Sequence, residues 1–267
     1  MKKKETTIHK RNELNRGTDM YSLNAKRCFN AIYYLYQKNR DIFTEYEKKN
    51  INFISIKFST LRSLMNLDKD NNYVEIIKES IRELQTTLIE LNNWINPITN
   101  KKYLWYATKF LNDAHIEKDN IISVQLEISV LFKQLMKEQL NFTKIDLIQY
   151  LNKFRTKYAM KIYEYLKSFG GYRYIDITQK HMMKLLNIIN EDKTYKDYSA
   201  LKRLVERQLI EIAKKTDLID VCFFENKLVQ KDLAKQKIFR ILINKKNKKA
   251  VQQQEAKDIL ESLIKRF

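Results

Sequence analysis

The chain is poor in residues that break regular structure and in those that most often do chemistry. Its 267 residues include three glycines, one proline, two cysteines and three histidines. Gly17, Gly170 and Gly171 cannot assemble a glycine-rich loop around a nucleotide's phosphates, which argues against an ATPase. His9, His115 and His181 lie far apart, so the chain lacks the metal-binding histidine pair that a tyrosine-dependent nicking enzyme needs. Two distant cysteines and three scattered histidines give no zinc spacing. Cys28 and Cys222 sit in apolar segments and read as buried thiols in a reducing cytoplasm. The acidic pairs Glu191-Asp192 and Asp217/Asp220 fall in turns and read as caps or solvated groups. No apolar run is long enough to cross a bilayer. The N-terminal MKKKETTIHKRNELN lacks the apolar segment of a signal peptide. The expectation is a cytoplasmic chain that is not an enzyme, with no metal, no cofactor and no membrane contact.

What the chain has in excess is positive charge, with 51 Lys and Arg against 32 Asp and Glu, a net +19 and a pI near 9.6. That balance favours a polyanionic partner, nucleic acid first. An AT-rich genome also inflates Lys and Asn, so the charge supports this reading without carrying it alone. The scarcity of Gly and Pro, with many amphipathic runs, predicts a mostly helical α+β protein.

The most informative stretch is Tyr195–Asp217, YKDYSALKRLVERQLIEIAKKTD. Leu201, Leu204, Val205, Leu209 and Ile212 recur at helical spacing and form one apolar stripe. Ser199 and Asp197 suit its start as caps, and Lys214 and Lys215 suit its end. Lys202, Arg203, Glu206 and Arg207 lie off the stripe and should face solvent. A solvated surface face is the plain reading of such charges. Two strands follow, Val221–Phe224 and Ile238–Ile243, with the loop Glu225–Lys237 between them carrying Lys227, Lys231, Lys235 and Lys237. A helix followed by a basic hairpin is the winged variant of the helix-turn-helix, whose helix enters a DNA major groove.

Taken in order, residues 1–20 read as a loosely ordered basic arm. In it Lys2, Lys3, Lys4, Lys10, Arg11 and Arg16 either touch phosphates or simply solubilise. Ser22 caps a helix over Leu23–Gln37. A polar turn spans Asn39–Asn50, a strand Phe53–Phe58, and Ser59 caps a short helix Thr60–Leu67. A long helix covers Tyr73–Leu91, with Ile77, Ile81, Leu84 and Leu88 inward. Tyr103–Leu111 and Ile121–Ile128 read as a hairpin, residues 129–142 as helix, and Thr143–Leu166 as a broken helical stretch. A strand at Tyr174–Ile177 precedes a Thr178-capped helix, Gln179–Ile188. A last amphipathic helix covers Val251–Phe267.

The order of elements repeats. In register, IKFSTLRSLMNL (56–67) matches ITQKHMMKLLNI (177–188), pairing Ile56 with Ile177, Leu61 with Met182, Leu64 with Leu185 and Asn66 with Asn187. Each segment follows a Tyr-rich helix, AIYYLYQ (31–37) or KIYEYLK (161–167), and leads to a long helix and a hairpin. The pattern predicts tandem winged-helix domains related by duplication, at 21–138 and 139–245, flanked by the arm and by a C-terminal helix at 246–267.

Over roughly residues 12–243 this arrangement resembles the initiator Rep proteins of theta-replicating plasmids with iterons. The resemblance rests on SLNAKRCFNAIYYLYQ opening the first module and FRTKYAMKIYEYLKSF opening the second. It also rests on Lys184-Leu185-Leu186 and on a Tyr followed by a basic helix, YSALKRLVERQLIEI. It implies binding to double-stranded origin repeats, recruitment of a host initiator and replicative helicase, and repression of the protein's own gene as a homodimer. Alternatives left by the sequence are a winged-helix transcriptional repressor and, less in keeping with the missing histidines, a nickase or primase. In the initiator reading Ser199, Lys202 and Arg203 read bases. Lys78 and Arg82 on the helix Asn72–Leu91 are their weaker counterparts. Arg207, Lys227, Lys235 and Lys237 hold phosphates. Trp105, Tyr106 and Phe110 in the first hairpin mark a surface for a second copy or, equally, close the first core.

Overall fold

A computed structural model describes residues 7–19, 21–48, 53–96, 99–137, 142–147, 153–170, 172, 174–188, 198–216, 218–223 and 238–245. The first half runs β1 (Thr7–Arg11), α1 (Asn12–Arg16), β2 (Thr18–Asp19), α2 (Leu23–Lys38), α3 (Arg40–Lys48), β3 (Phe53–Lys57), α4 (Phe58–Leu64), α5 (Tyr73–Thr86), β4 (Ile89–Ile95), β5 (Lys102–Thr108), β6 (Leu111–His115), β7 (Ser123–Ile128) and α6 (Val130–Lys137). The second runs β8 (Phe142–Asp146), α7 (Lys157–Lys167), β9 (Tyr174–Thr178), α8 (Gln179–Leu185), α9 (Tyr198–Lys215), β10 (Leu218–Phe223) and β11 (Ile238–Lys245).

The two halves are built alike. Helices α2, α4 and α5 back a sheet of order β3-β7-β6; helices α7, α8 and α9 back a sheet of order β9-β11-β10. All pairings in these sheets are antiparallel. The short helices end identically. Asn66 and Asn187 take left-handed φ values of 59° and 51°, a conformation Asn tolerates better than most residues. Leu67 N–H then reaches Arg62 O, and Ile188 N–H reaches Met183 O, each at 2.9 Å. The aligned apolar residues Ile56, Leu61 and Leu64 are buried, as are Ile177, Met182 and Leu185.

Caps and cross-helix bonds repeat as well. Ser22 Oγ accepts from Ala25 N–H at 3.2 Å at the start of α2, and its hydroxyl donates to Glu83 of α5 at 2.6 Å. Thr156 Oγ1 accepts from Ala159 N–H at 3.1 Å at the start of α7, and its hydroxyl donates to Gln208 of α9 at 2.6 Å. In each half the long helix thus pins the N-terminus of the first, fixing the angle at which its exposed face is presented.

Several expectations are corrected. Residues 7–16 form β1 and α1, with β1 paired antiparallel to β8; Lys10 and Arg11 are buried and cannot reach phosphates. Residues 40–48 form α3 in place of a turn. Helix α4 starts at Phe58, without a side-chain cap from Ser59. Helix α5 ends at Thr86, and Ile89–Ile95 is strand, with Leu88 exposed. Strand β5 pairs with β4, and the first wing is β6 with β7, so an extra hairpin sits between α5 and the wing. Phe142–Asp146 is strand in place of helix. Asp197, the loop Glu225–Lys237 and the helix Val251–Phe267 lie outside the described residues.

The halves meet through a buried ionic cluster. Glu164 of α7 is fully buried, and Lys10, Lys26 and Lys161 around it are at most 5% exposed. Lys10 Nζ donates to Glu164 Oε1 at 2.8 Å, and Lys26 Nζ lies 3.3 Å from Oε2. Asn30 of α2 joins, accepting from Lys10 at 3.2 Å. Burial alone would raise the Glu164 carboxyl, but the three lysines hold it below its ordinary value. Burial lowers Lys10 to about 8 despite Glu164.

This sets a pH dependence. From about pH 8 the folded protein releases the Lys10 proton, whereas the unfolded chain holds it until 10.5, so stability rises with pH. Burial pushes the Cys28 thiol well above its ordinary 9.0, and from there on the unfolded chain loses a proton the folded one keeps, which opposes the rise. Urea midpoints should therefore climb between pH 8 and 9 and level off above. Cys28→Ala should extend the climb, and Lys10→Met should remove it.

Candidate nucleic-acid interface

Helix α9 buries the stripe expected of it: Leu201, Leu204, Val205, Leu209 and Ile212 are all at most 5% exposed. Fully burying such side chains contributes about 1.5–3 kcal/mol each, which holds the helix on α7 and β10. Ser199, Arg203, Glu206 and Arg207 are exposed, and Lys202 is half-buried. Ser199 is the second residue of the helix. The helix carries Lys202, Arg203, Arg207, Lys214 and Lys215 against Glu206 and Glu211, a net +3. Lys215 pairs with Glu211 and donates to Lys153 O at 2.8 Å, and Lys202, Arg203 and Arg207 against Glu206 give the first ten residues a net +2.

The N-terminal half of α9 is tied to the wing. Tyr198 donates its hydroxyl to Ile238 O at 3.0 Å and stacks on Phe239 of β11, centroids 4.8 Å apart. Next along β11, Arg240 grips Asp176 of β9 with two bonds of 2.7 and 2.6 Å and lies over the Tyr174 ring. These bonds raise the guanidinium further above its ordinary pKa. Arg240 escaped the sequence reading, although strand alternation places it opposite Phe239 and Ile241, on the outer face with Asp176. Lys227, Lys235 and Lys237 lie outside the described residues.

The corresponding helix of the first half differs in charge. Helix α5 carries Glu75, Glu79 and Glu83 against Lys78 and Arg82, a net −1. Lys78 lies 3.4 Å and Arg82 3.6 Å from Glu75, so one carboxylate engages both cations. The candidates on α5 and α9 are thus not equivalent: Arg203 projects from a basic face, Arg82 from a nearly balanced one.

The histidines are spread among aromatic contacts: His9 stacks on Phe142, His115 packs edge-on to Phe53, and His181 edge-on to Tyr165. Among the described residues no three His, Cys, Asp or Glu side chains come together as a metal site would require. None of the described helices is long and apolar enough to cross a membrane.

A three-helix core with a three-stranded sheet whose last two strands form a hairpin defines the winged helix, and this chain has two in succession. The chain belongs to the initiator replication protein family, whose model of the first winged-helix region (WH1) matches residues 7–167. Its fold is similar to that of the Pi initiator protein in complex with iteron DNA, with a TM-score of 0.60 and 17% identity over 91% of this chain and 99% of that one. A structure of domains 2 and 3 of RctB aligns at a TM-score of 0.48 and 14% identity, over 84% of this chain and 82% of that one. No curated protein sequence matches.

Proposed function

We propose that the protein initiates plasmid replication by binding double-stranded origin repeats through both winged helices, with α9 as the main reader. The observation that carries this reading is the exposed basic N-terminal half of α9, on a fold similar to that of Pi on iteron DNA. Ser199, Lys202 and Arg203 meet base edges, and Arg207 with Lys227, Lys235 and Lys237 holds phosphates. Lys78 and Arg82, both engaged by Glu75, contribute less. The modules divide near residues 138–139. Recruitment of a host initiator and helicase, and repression of the protein's own gene, complete the role. It needs no cofactor, since opening the duplex is driven by binding. Footprinting on DNA flanking the gene tests it: tandem protected repeats of about two helical turns are expected, because two modules take successive grooves. A scattered or absent footprint would contradict the proposal.

The second copy implied by autorepression has a candidate seat. Among the described residues no strand pairs with the outer edge of β5. Leu104 and Trp105 on it are 79% and 58% exposed, whereas Tyr106 is half-buried and Phe110 fully buried. An open edge with apolar side chains invites pairing with its twin. Leu104→Lys, a change at an exposed site, should turn dimers into monomers in sedimentation; dimers that persist would rule the β5 edge out.

A further inference from the structure

A second basic surface lies where β4 of the first half faces α8 of the second. The two enclose a cleft of about 630 Å³, a size that suits a nucleotide-sized ligand. Arg16, Lys180 and Lys184 line it, and among the described residues no acidic side chain does. His181 also lines it; burial and the neighbouring Lys184 lower its pKa, so near neutral pH it serves as an uncharged hydrogen-bonding group.

The β4 side brings two independent features. Trp94 is 2% exposed, and its indole Nε1–H finds no acceptor among the described residues. A buried donor left unpaired costs about 1–3 kcal/mol, so a shift of the Trp94 ring that brings this sealed N–H to an acceptor in the cleft is favoured. Beside it, Asn93 has a left-handed φ of 49° in mid-strand, between the pairs Asn92–Trp105 and Trp94–Tyr103. Non-glycine residues held in this region gather at ligand sites. Arg16 is itself fixed, donating to Ser168 O at 2.7 Å and lying over the Phe169 ring.

We propose that this cleft binds a phosphate group, with Lys180 and Lys184 supplying charge and the Trp94 indole donating to a phosphate oxygen. The phosphate belongs either to a free nucleoside phosphate or to the backbone of bound DNA; the second source rests on the function proposed above and the first does not. Because β4 and α8 come from different halves, an occupant would also fix their relative position.

The sequence contains two tryptophans, so the full chain carrying Trp105→Phe reports on Trp94 alone. Its fluorescence is titrated with inorganic phosphate, with ATP and with a short DNA duplex, whose binding is followed separately by anisotropy. A saturable change with phosphate or ATP assigns a free ligand, and a change with duplex only assigns a backbone phosphate. In either case adding Lys180→Gln and Lys184→Gln, both at exposed positions, should weaken the midpoint by about tenfold or more. No change with any probe, or a change that the double substitution leaves intact, overturns the cleft. Duplex that binds without moving Trp94 overturns the cleft while the DNA-binding function stands. A response to ATP without duplex binding does the reverse.

Discussion

Replacing Arg203 with alanine should cost the protein its preference for the origin repeat while leaving its melting temperature near wild type. Arg203 is exposed on the far side of α9 from the buried stripe, so its loss leaves the packing intact. Exposed substitutions of this kind usually change stability by less than about 0.5 kcal/mol. A bidentate Arg–guanine contact contributes about 1–3 kcal/mol of discrimination, so repeat affinity should fall by roughly ten- to a hundredfold and approach that for random DNA. Lys237→Ala should instead weaken repeat and random DNA alike and change the salt slope by about one unit, as a lost phosphate contact does. Gel-shift titrations against both DNAs separate the two effects. An Arg203→Ala protein that still prefers its repeat would remove α9 as the reader.

The largest effect on stability should come from Glu164→Gln. The substitution keeps the shape and leaves Lys10, Lys26 and Lys161 buried around a neutral amide. Breaking a buried ionic group by removing one partner typically costs about 3–5 kcal/mol, because the remaining charge is desolvated without compensation. Here three cations lose one anion, so the upper part of that range is expected, with a clear drop in urea midpoint. Returning the cluster to its original net charge with Lys10→Met in the same chain should recover part of the loss, since the two sites are coupled. An unchanged midpoint for Glu164→Gln would mean that the lysines do not depend on this carboxylate.

What the sequence revealed and what it hid follow from the range of the interactions. The stripe of α9, the caps Ser22 and Thr178, and the paired asparagines Asn66 and Asn187 are local features, legible from spacing and residue type. Strand β4 was not, for a local reason. Leu84, Leu88 and Leu91 continue a helical spacing, and the strand's own alternation fails because the left-handed Asn93 shifts the buried face from Leu91 to Trp94. Strand β1 was hidden for a distant one: Lys10 at a buried position reads as solvent-facing until Glu164, 154 residues away, supplies the counter-charge. At the candidate interface Arg203 and Arg207 were readable as exposed cations. The pairing of Lys78 with Glu75 is a local i,i+3 spacing; that Arg82, seven residues on, shares the same carboxylate shows only in the structure.

The pairing of β1 with β8 also orders events on the ribosome. Arg11 pairs with Phe142, and the register runs back to Thr7 with Asp146. Translation at roughly 5–20 residues per second leaves β1 waiting about 7–26 s for its partner strand to be made. Throughout that interval β1 has an open strand edge, and Lys10 of β1 and Lys26 of α2 both lack the carboxylate of Glu164. The nascent chain therefore presents a first module with an unpaired strand edge and uncompensated lysines, the state that holding chaperones bind, and it closes only when the opening of the second module arrives.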